Sequence, residues 1–277
     1  MGYKIIGDSC TDITEEMKKE RIVSHVPLTL SIQGEEFVDD ETFNQKLFIE
    51  KMKASPECPK SACPSPERYR QEFEGQEECY VITLSSRLSG SYNSAMVAKE
   101  MYLEDHPEVK IEIVDSRSAS AGQALLAMKI REFKESGMSF EEVKEKITEF
   151  RDNMETRFVL ESLDNLHKNG RLSKMTYTIC NVLNIRPVMR ADDGEIIKID
   201  QVRGHNKALI RMTEHIAEDP KSALKETLVI AHCNNRERAE LVKKEILKRV
   251  SFKYTHIVEM AGVATLYAND GGIIVSY

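Results

Sequence analysis

Short apolar runs rich in β-branched residues alternate along the chain with stretches of helical periodicity, and three of the runs share an ending. Residues 3–7, 79–84 and 111–114 each read as a buried strand. They end in Asp8-Ser9, Ser85-Ser86 and Asp115-Ser116, and helical patterns follow at about 14–20, 92–104 and 122–136. Strand, small polar residues, helix, three times over, predicts a parallel sheet whose ligand edge lies at the carboxyl ends of its strands.

Between these units, residues 22–32 alternate around Pro27, Gln33-Gly34 makes a hairpin-like turn before 36–38, and 43–53 has helical spacing. Prolines at 59 and 64 hold Ser61 in an extended arm that could carry its hydroxyl to a site. Ser65, Pro66 and Glu67 open a helix to about 73 as N-cap, first position and first-turn acid. Ser139 and Glu142 form a capping box that opens another, to about 153.

From residue 156 the pattern changes. A strand at 156–161 and a short helix at 163–168 lead into Asn169-Gly170-Arg171-Leu172, a turn presenting an arginine. The alternating runs 185–191 and 195–202 are joined by Asp192-Asp193-Gly194, a hairpin signal. Helices at 203–218 and 236–250 and strands at 227–232, 254–260 and 273–277 complete the chain. The predicted architecture is α/β in two domains: an N-terminal, Rossmann-like parallel-sheet domain over 1–155 and a C-terminal α+β domain over 156–277, with a ligand between them.

Residues 84–95, Leu-Ser-Ser-Arg-Leu-Ser-Gly-Ser-Tyr-Asn-Ser-Ala, hold the densest candidate chemistry. Gly90 permits close approach of the backbone, and Ser89 or Ser91 is placed to cap the following helix. Hydroxyls and free N–H groups beside the positive end of a helix dipole suit an anion. Serines that only cap the helix are the plainer reading. Asp8 and Ser9 are further cleft candidates.

Composition narrows the partners. With 277 residues, 41% of them hydrophobic, the chain can bury two cores, and its formal net charge of −7 argues against general attraction to nucleic acid or anionic lipid. No run approaches the roughly 18 apolar residues of a membrane span, so a soluble cytoplasmic protein is expected. The six cysteines form no C-x-x-C pair and the seven histidines no H-E-x-x-H, which predicts reduced thiols and no metal site. Phosphate-loop, dinucleotide and nucleophile-elbow signatures are absent, and the lone S-x-x-K at Ser222 to Lys225 reads as a surface coincidence.

Several stretches resemble, in order, motifs of the DegV family. They are Pro59-Lys60-Ser61-Ala62-Cys63-Pro64-Ser65-Pro66 (P-K-T-S-Q-P-S-P in the family), residues 84–95 (L-S-S-x-L-S-G-T-Y-x-S-A) and Val114-Asp115-Ser116 (I-D-S). Asn169-Gly170-Arg171-Leu172 (G-G-R-I) and Leu183-Asn184-Ile185-Arg186-Pro187-Val188 with Asp193-Gly194 (L-N-I-K-P-I and D-G) complete the set. Tyr267 stands at the position of a family histidine, and Ser61 at that of a threonine.

The resemblance implies a two-domain fold with a long-chain fatty acid of C14 to C18 buried between the domains. It implies no cofactor and no catalytic residue, but a carrier that presents the carboxylate to a separate fatty-acid kinase, whose acyl phosphate feeds bacterial phospholipid synthesis. Ser61 and Ser89 would hold the carboxylate, with Gly90, Ser91, Arg171 and Tyr267 close by. Burying about 15 methylenes at ~0.8 kcal/mol each contributes on the order of 12 kcal/mol, against about 1.5 to 3 for each charge-assisted contact. The tail therefore sets affinity and the hydroxyls set orientation. The alternative is an enzyme using Ser89 or Asp115 for acyl or phosphoryl transfer on a small anionic substrate.

Overall fold

The structure is a computed structural model that describes residues 2–180 and 185–277. Leu183 and Asn184 of the L-N-I motif lie outside those residues. The chain begins β1 (Tyr3–Asp8), α1 (Glu15–Lys19), β2 (Val23–Val26), β3 (Thr29–Ile32), β4 (Glu35–Val38), α2 (Gln45–Ala54), β5 (Lys60–Ala62) and α3 (Pro66–Phe73). It continues with β6 (Glu78–Thr83), α4 (Ser91–Asp105), β7 (Lys110–Asp115), α5 (Ala121–Glu135) and α6 (Phe140–Asn153).

Strands β1, β2, β6 and β7 form the expected wholly parallel sheet, in the order β2-β1-β6-β7. Its central strands are covered on both faces, which is why they read as continuous apolar runs. Ile5, Tyr80 and Ile82 pack against Leu126 and Ile130 of α5 and Val143 and Ile147 of α6. On the other face Ile6 and Val81 meet Tyr69 and Phe73 of α3 and Ala95 and Tyr102 of α4.

Residues 22–32 do not form one alternating strand. Pro27 lacks an N–H for the ladder, and the run divides there. β2 joins the parallel sheet, while β3 lies at the centre of a separate three-stranded antiparallel sheet, β4-β3-β5, with Ser61 of β5 opposite Leu30. The Ser139 capping box has both of its hydrogen bonds, but Ser65 occupies the N-cap of α3 without a side-chain cap bond.

The remaining elements are β8 (Thr156–Val159), α7 (Asp164–Lys168), α8 (Lys174–Cys180), β9 (Ile185–Asp192), β10 (Glu195–Arg203), α9 (His205–Glu218), β11 (Thr227–His232), α10 (Arg236–Leu247), β12 (Tyr254–Glu259), α11 (Gly262–Ala268) and β13 (Ile273–Ser276). They build a six-stranded mixed sheet, β10-β9-β8-β13-β11-β12, in which only β11 and β12 run parallel. One face carries α9 and α10 through Leu209, Met212, Val242 and Ile246. The other turns toward the N-terminal unit, where Phe158, Ala231 and Ile274 share a core with Leu28, Leu84 and Leu125. Helix α5 is buried on both sides and is the wedge between the two sheets.

The hairpin expected at Asp193-Gly194 is present, with φ of 47° and 82° at those two residues. Ser222 is buried rather than on the surface, and its hydroxyl closes a turn on the Asp219 carbonyl at 2.8 Å. Cys10, Cys58, Cys63, Cys79 and Cys233 are free thiols. No helix among the described residues is long and apolar enough to cross a membrane.

Candidate functional site: an apolar cavity closed by hydroxyls

A cavity of about 330 Å³ lies between the two sheets. That volume falls at the lower end of the range for small-molecule sites. Leu28, Leu84, Phe158, Leu160, Ile196 and Ile274 make its walls largely aliphatic and aromatic. Ser61, Ser89, Arg171 and Tyr267 are among its polar lining residues, with Ser118, Thr156, Arg117 and Glu195 elsewhere on the wall. Ser118 and Thr156 satisfy each other at 2.8 Å, and Thr156 continues to Ser276 at 2.9 Å.

Ser61 reaches the cavity because β5 pairs with β3, as the proline-bounded arm foretold. Its hydroxyl meets the Tyr267 phenol at 2.9 Å. Tyr267 comes from α11, a short helix that the sequence reading assigned to no element. Nearly all of its residues are buried, and a helix apolar on every side has no stripe to betray its period.

Across from this pair, the turn after β6 folds back so that Leu88 and Ser89 donate their amides to the Ser85 carbonyl, at 2.9 and 3.0 Å. Gly90, not a serine, takes the N-cap position of α4, and it is Ser89, one residue earlier, whose side chain meets the first amide of the helix. The Ser89 hydroxyl accepts the Ser91 amide at 3.2 Å and meets the Ser91 hydroxyl at 3.0 Å. Ser91 is fully buried behind Ser89 and does not line the cavity. Among the described residues the Gly90 amide has no intramolecular acceptor. A Cβ on Gly90 would lie 3.0 Å from the Cys63 sulfur, so glycine lets the Ser61 arm close on this loop.

Arg171 borders the same end. Its Nε donates to the Leu88 carbonyl at 3.1 Å and another guanidinium nitrogen to the Asn169 carbonyl, and among the described residues no carboxylate pairs with it. Asn169 in turn donates to the Pro59 carbonyl at 3.0 Å, tying the arginine turn to the Ser61 arm. Ser89, Gly90 and Arg171 also line a second, open depression of about 400 Å³ with Arg87, Tyr92 and Asn93. The hydroxyl cluster thus stands as a partition between the cavity and the outside.

Asp8 and Ser9 serve the framework. Asp8 is fully buried and accepts the Leu84 amide at 2.7 Å, the Cys10 amide at 3.2 Å and the Gln123 side chain at 2.8 Å. Ser9 donates to Asp39 at 2.8 Å and accepts the Leu28 amide at 3.1 Å. Neither lines the cavity. Burial lifts the Asp8 carboxyl to about 6, despite the hydrogen bonds that favour its charge.

Asp115 accepts the amides of Ser86 and Arg117, both at 3.0 Å, and the Ser86 hydroxyl at 2.5 Å. Its lone pairs are used by the turn, and the hydroxyl partner of Ser89 is another serine. The arrangement offers an anion several donors. Among the described residues no group of three histidine, cysteine or acidic side chains is placed to hold a metal ion.

The site is thus an apolar cavity of an α/β protein, bordered at one end by hydroxyls and the free Gly90 amide. The profile of the DegV family, described as uncharacterised proteins, matches residues 3–277, and the chain belongs to that family. A DegV-family protein from Ruminococcus gnavus, solved with vaccenic acid, is 42% identical, covers 100% of both chains and superposes with a TM-score of 0.94. The fatty acid kinase (Fak) B3 protein of Streptococcus pneumoniae, loaded with linoleic acid, is 35% identical over 100% of this chain and 99% of its own, with a TM-score of 0.91. A DegV domain-containing protein of Streptococcus pneumoniae strain R6 is 36% identical over 281 residues, covering 100% of this chain and 99% of its own.

Proposed function

We propose that this protein is a non-catalytic carrier that binds a long-chain fatty acid of C14 to C18 and presents its carboxylate to a separate fatty-acid kinase. The tail lies in the cavity between an N-terminal unit, residues 1–155, and a C-terminal unit, residues 156–277. Ser61, Ser89, the Gly90 amide and Tyr267 hold the carboxylate, with Ser91 fixing Ser89 from behind and Arg171 at the mouth. One observation carries the reading: the residues closing the apolar cavity, Ser89, Gly90 and Arg171, also line the open depression outside it. A head group held there is within reach of a second protein while its tail stays out of water.

The ligands of the two solved relatives support the choice of a fatty acid. An enzyme acting through Ser89 or Asp115 finds no support, since Asp115 is committed to Ser86 and Arg117. Mass spectrometry of an organic extract of the purified protein tests the proposal. A co-purified C14 to C18 acid is expected; a lipid-free protein that also takes up no added fatty acid and turns over an acyl ester would replace the carrier with an enzyme.

A further inference from the structure

Helix α11 has no N-terminal cap of its own. The residue before it, Ala261, carries no hydroxyl or carboxylate, and the first N–H groups of a helix find no partner within it. Here they are satisfied from the other unit. Asp12 accepts the Ala261 amide at 2.7 Å, and Asp39 accepts those of Gly262 at 2.6 Å and Val263 at 2.8 Å through its two oxygens. Gln45 adds bonds to the Met260 carbonyl at 2.7 Å and the Thr265 hydroxyl at 3.1 Å. Each carboxylate is braced from behind: Asp39 by Ser9 at 2.8 Å, Asp12 by Ser120 at 2.5 Å. Ser120 makes that bond from a backbone φ of 53°, a conformation residues with side chains seldom adopt.

Glycine at 262 is a condition of the contact. A Cβ there would lie 2.6 Å from the Asp39 carboxylate and 2.7 Å from Leu30. We propose that Asp12 and Asp39 are positioning residues, an inter-unit latch that draws α11 onto the N-terminal unit and thereby places Tyr267 against Ser61. Ser61 rides on β5 in the N-terminal unit and Tyr267 on the latched helix, so the Ser61–Tyr267 half of the head-group site exists only while the latch is closed. The inference rests on the carrier reading for its consequence, the retention of a bound fatty acid.

The latch also has a pH sense. The titratable groups facing it are Asp8, Cys10, Lys18 and Cys233, and Lys18 alone among them is a cation. Residues 260–268 bring no charged side chain. Burial raises Asp12 to about 7 and Asp39 to about 6. In an opened form both carboxyls meet water and return toward the ordinary range, so the closed form holds protons more tightly. Acidification from pH 8 to 5.5 therefore favours closure, and each unit of pKa difference is about a tenfold change in the closed-to-open ratio.

Labelled vaccenic acid loaded on the full chain and released to excess albumin tests this across pH 8 to 5.5. Asp39→Asn and Gly262→Ala should release the acid at least about tenfold faster at pH 8 than the parent, by the loss of one to two charge-assisted bonds. Asp39→Asn should also flatten the pH profile, and hydrogen exchange at amides 261–268 should accelerate in both. Release rates, pH profile and exchange at parental values in folded variants would overturn the latch. Should neither variant fold, Asp12→Asn, which changes a single inter-unit bond, carries the same test. A parent chain that takes up no fatty acid refutes the carrier reading, and exchange at 261–268 in parent and variants still decides the latch.

Discussion

The Ser61 hydroxyl and the Tyr267 phenol stand 2.9 Å apart although 206 positions separate them. One belongs to a strand paired with β3 and the other to a helix between β12 and β13, so this contact joins the two units at the cavity. A phenol in this place can donate or accept a hydrogen bond.

Tyr267→Phe keeps the ring and removes that hydroxyl and its bond to Ser61. A single hydrogen bond nets about 1 kcal/mol, so the melting temperature should fall by only about 2 to 4 °C while bound acid is lost faster. Calorimetry and lipid retention measured on one preparation check this; unchanged retention would leave the tyrosine as wall only.

Ser89→Ala removes the acceptor of the Ser91 amide and a proposed carboxylate ligand together. The protein should stay folded, at a cost of about 0.5 to 1.5 kcal/mol, with weaker fatty-acid binding and slower delivery to a kinase. Full loading together with parental delivery would reduce Ser89 to a turn residue.

Arg171 is held by the Leu88 and Asn169 carbonyls and by no carboxylate among the described residues, so its charge is not neutralised within the site. Because hydroxyls and the Gly90 amide already offer donors to two oxygens, Arg171→Ala should purify with its acid bound, yet that acid should no longer be phosphorylated by a cognate kinase. An empty mutant would make the arginine a primary ligand instead.

The buried acids predict the pH dependence of stability. Asp8, Asp12 and Asp39 are raised by burial, to about 6, 7 and 6, above the value that they take in an unfolded chain. Between the unfolded value of about 4 and those raised values the folded state binds more protons, so their contribution to stability declines as pH rises through that window. Melting curves of the parent and of the Asp12→Asn/Asp39→Asn double variant from pH 5 to 8 should show a steeper decline with pH in the parent. Parallel curves would show that these carboxyls do not titrate there.

Local chemistry made much of the framework legible. Strands β1, β6 and β7 announce themselves as β-branched runs because both of their faces are covered, and the capping box and the Asp193-Gly194 turn are decided by neighbours in sequence. The motif residues Ser61, Ser89, Gly90 and Arg171 were readable as a set and do gather at one end of the cavity. Ser91 was readable too, but its place behind Ser89 depends on how the turn closes over Ser85.

By itself the sequence determined the parallel sheet and the residue types suited to an anion, since periodicity, caps and turn residues act within a few positions of the chain. Only the tertiary structure decided that Pro27 divides one alternating run between two sheets, and that an apolar stretch becomes α11. It also decided that Asp12 and Asp39 are buried against that helix. Those outcomes turn on burial and on amide partners more than 200 residues away, and no local pattern encodes which distant N–H a carboxylate will meet when two units close over a shared core.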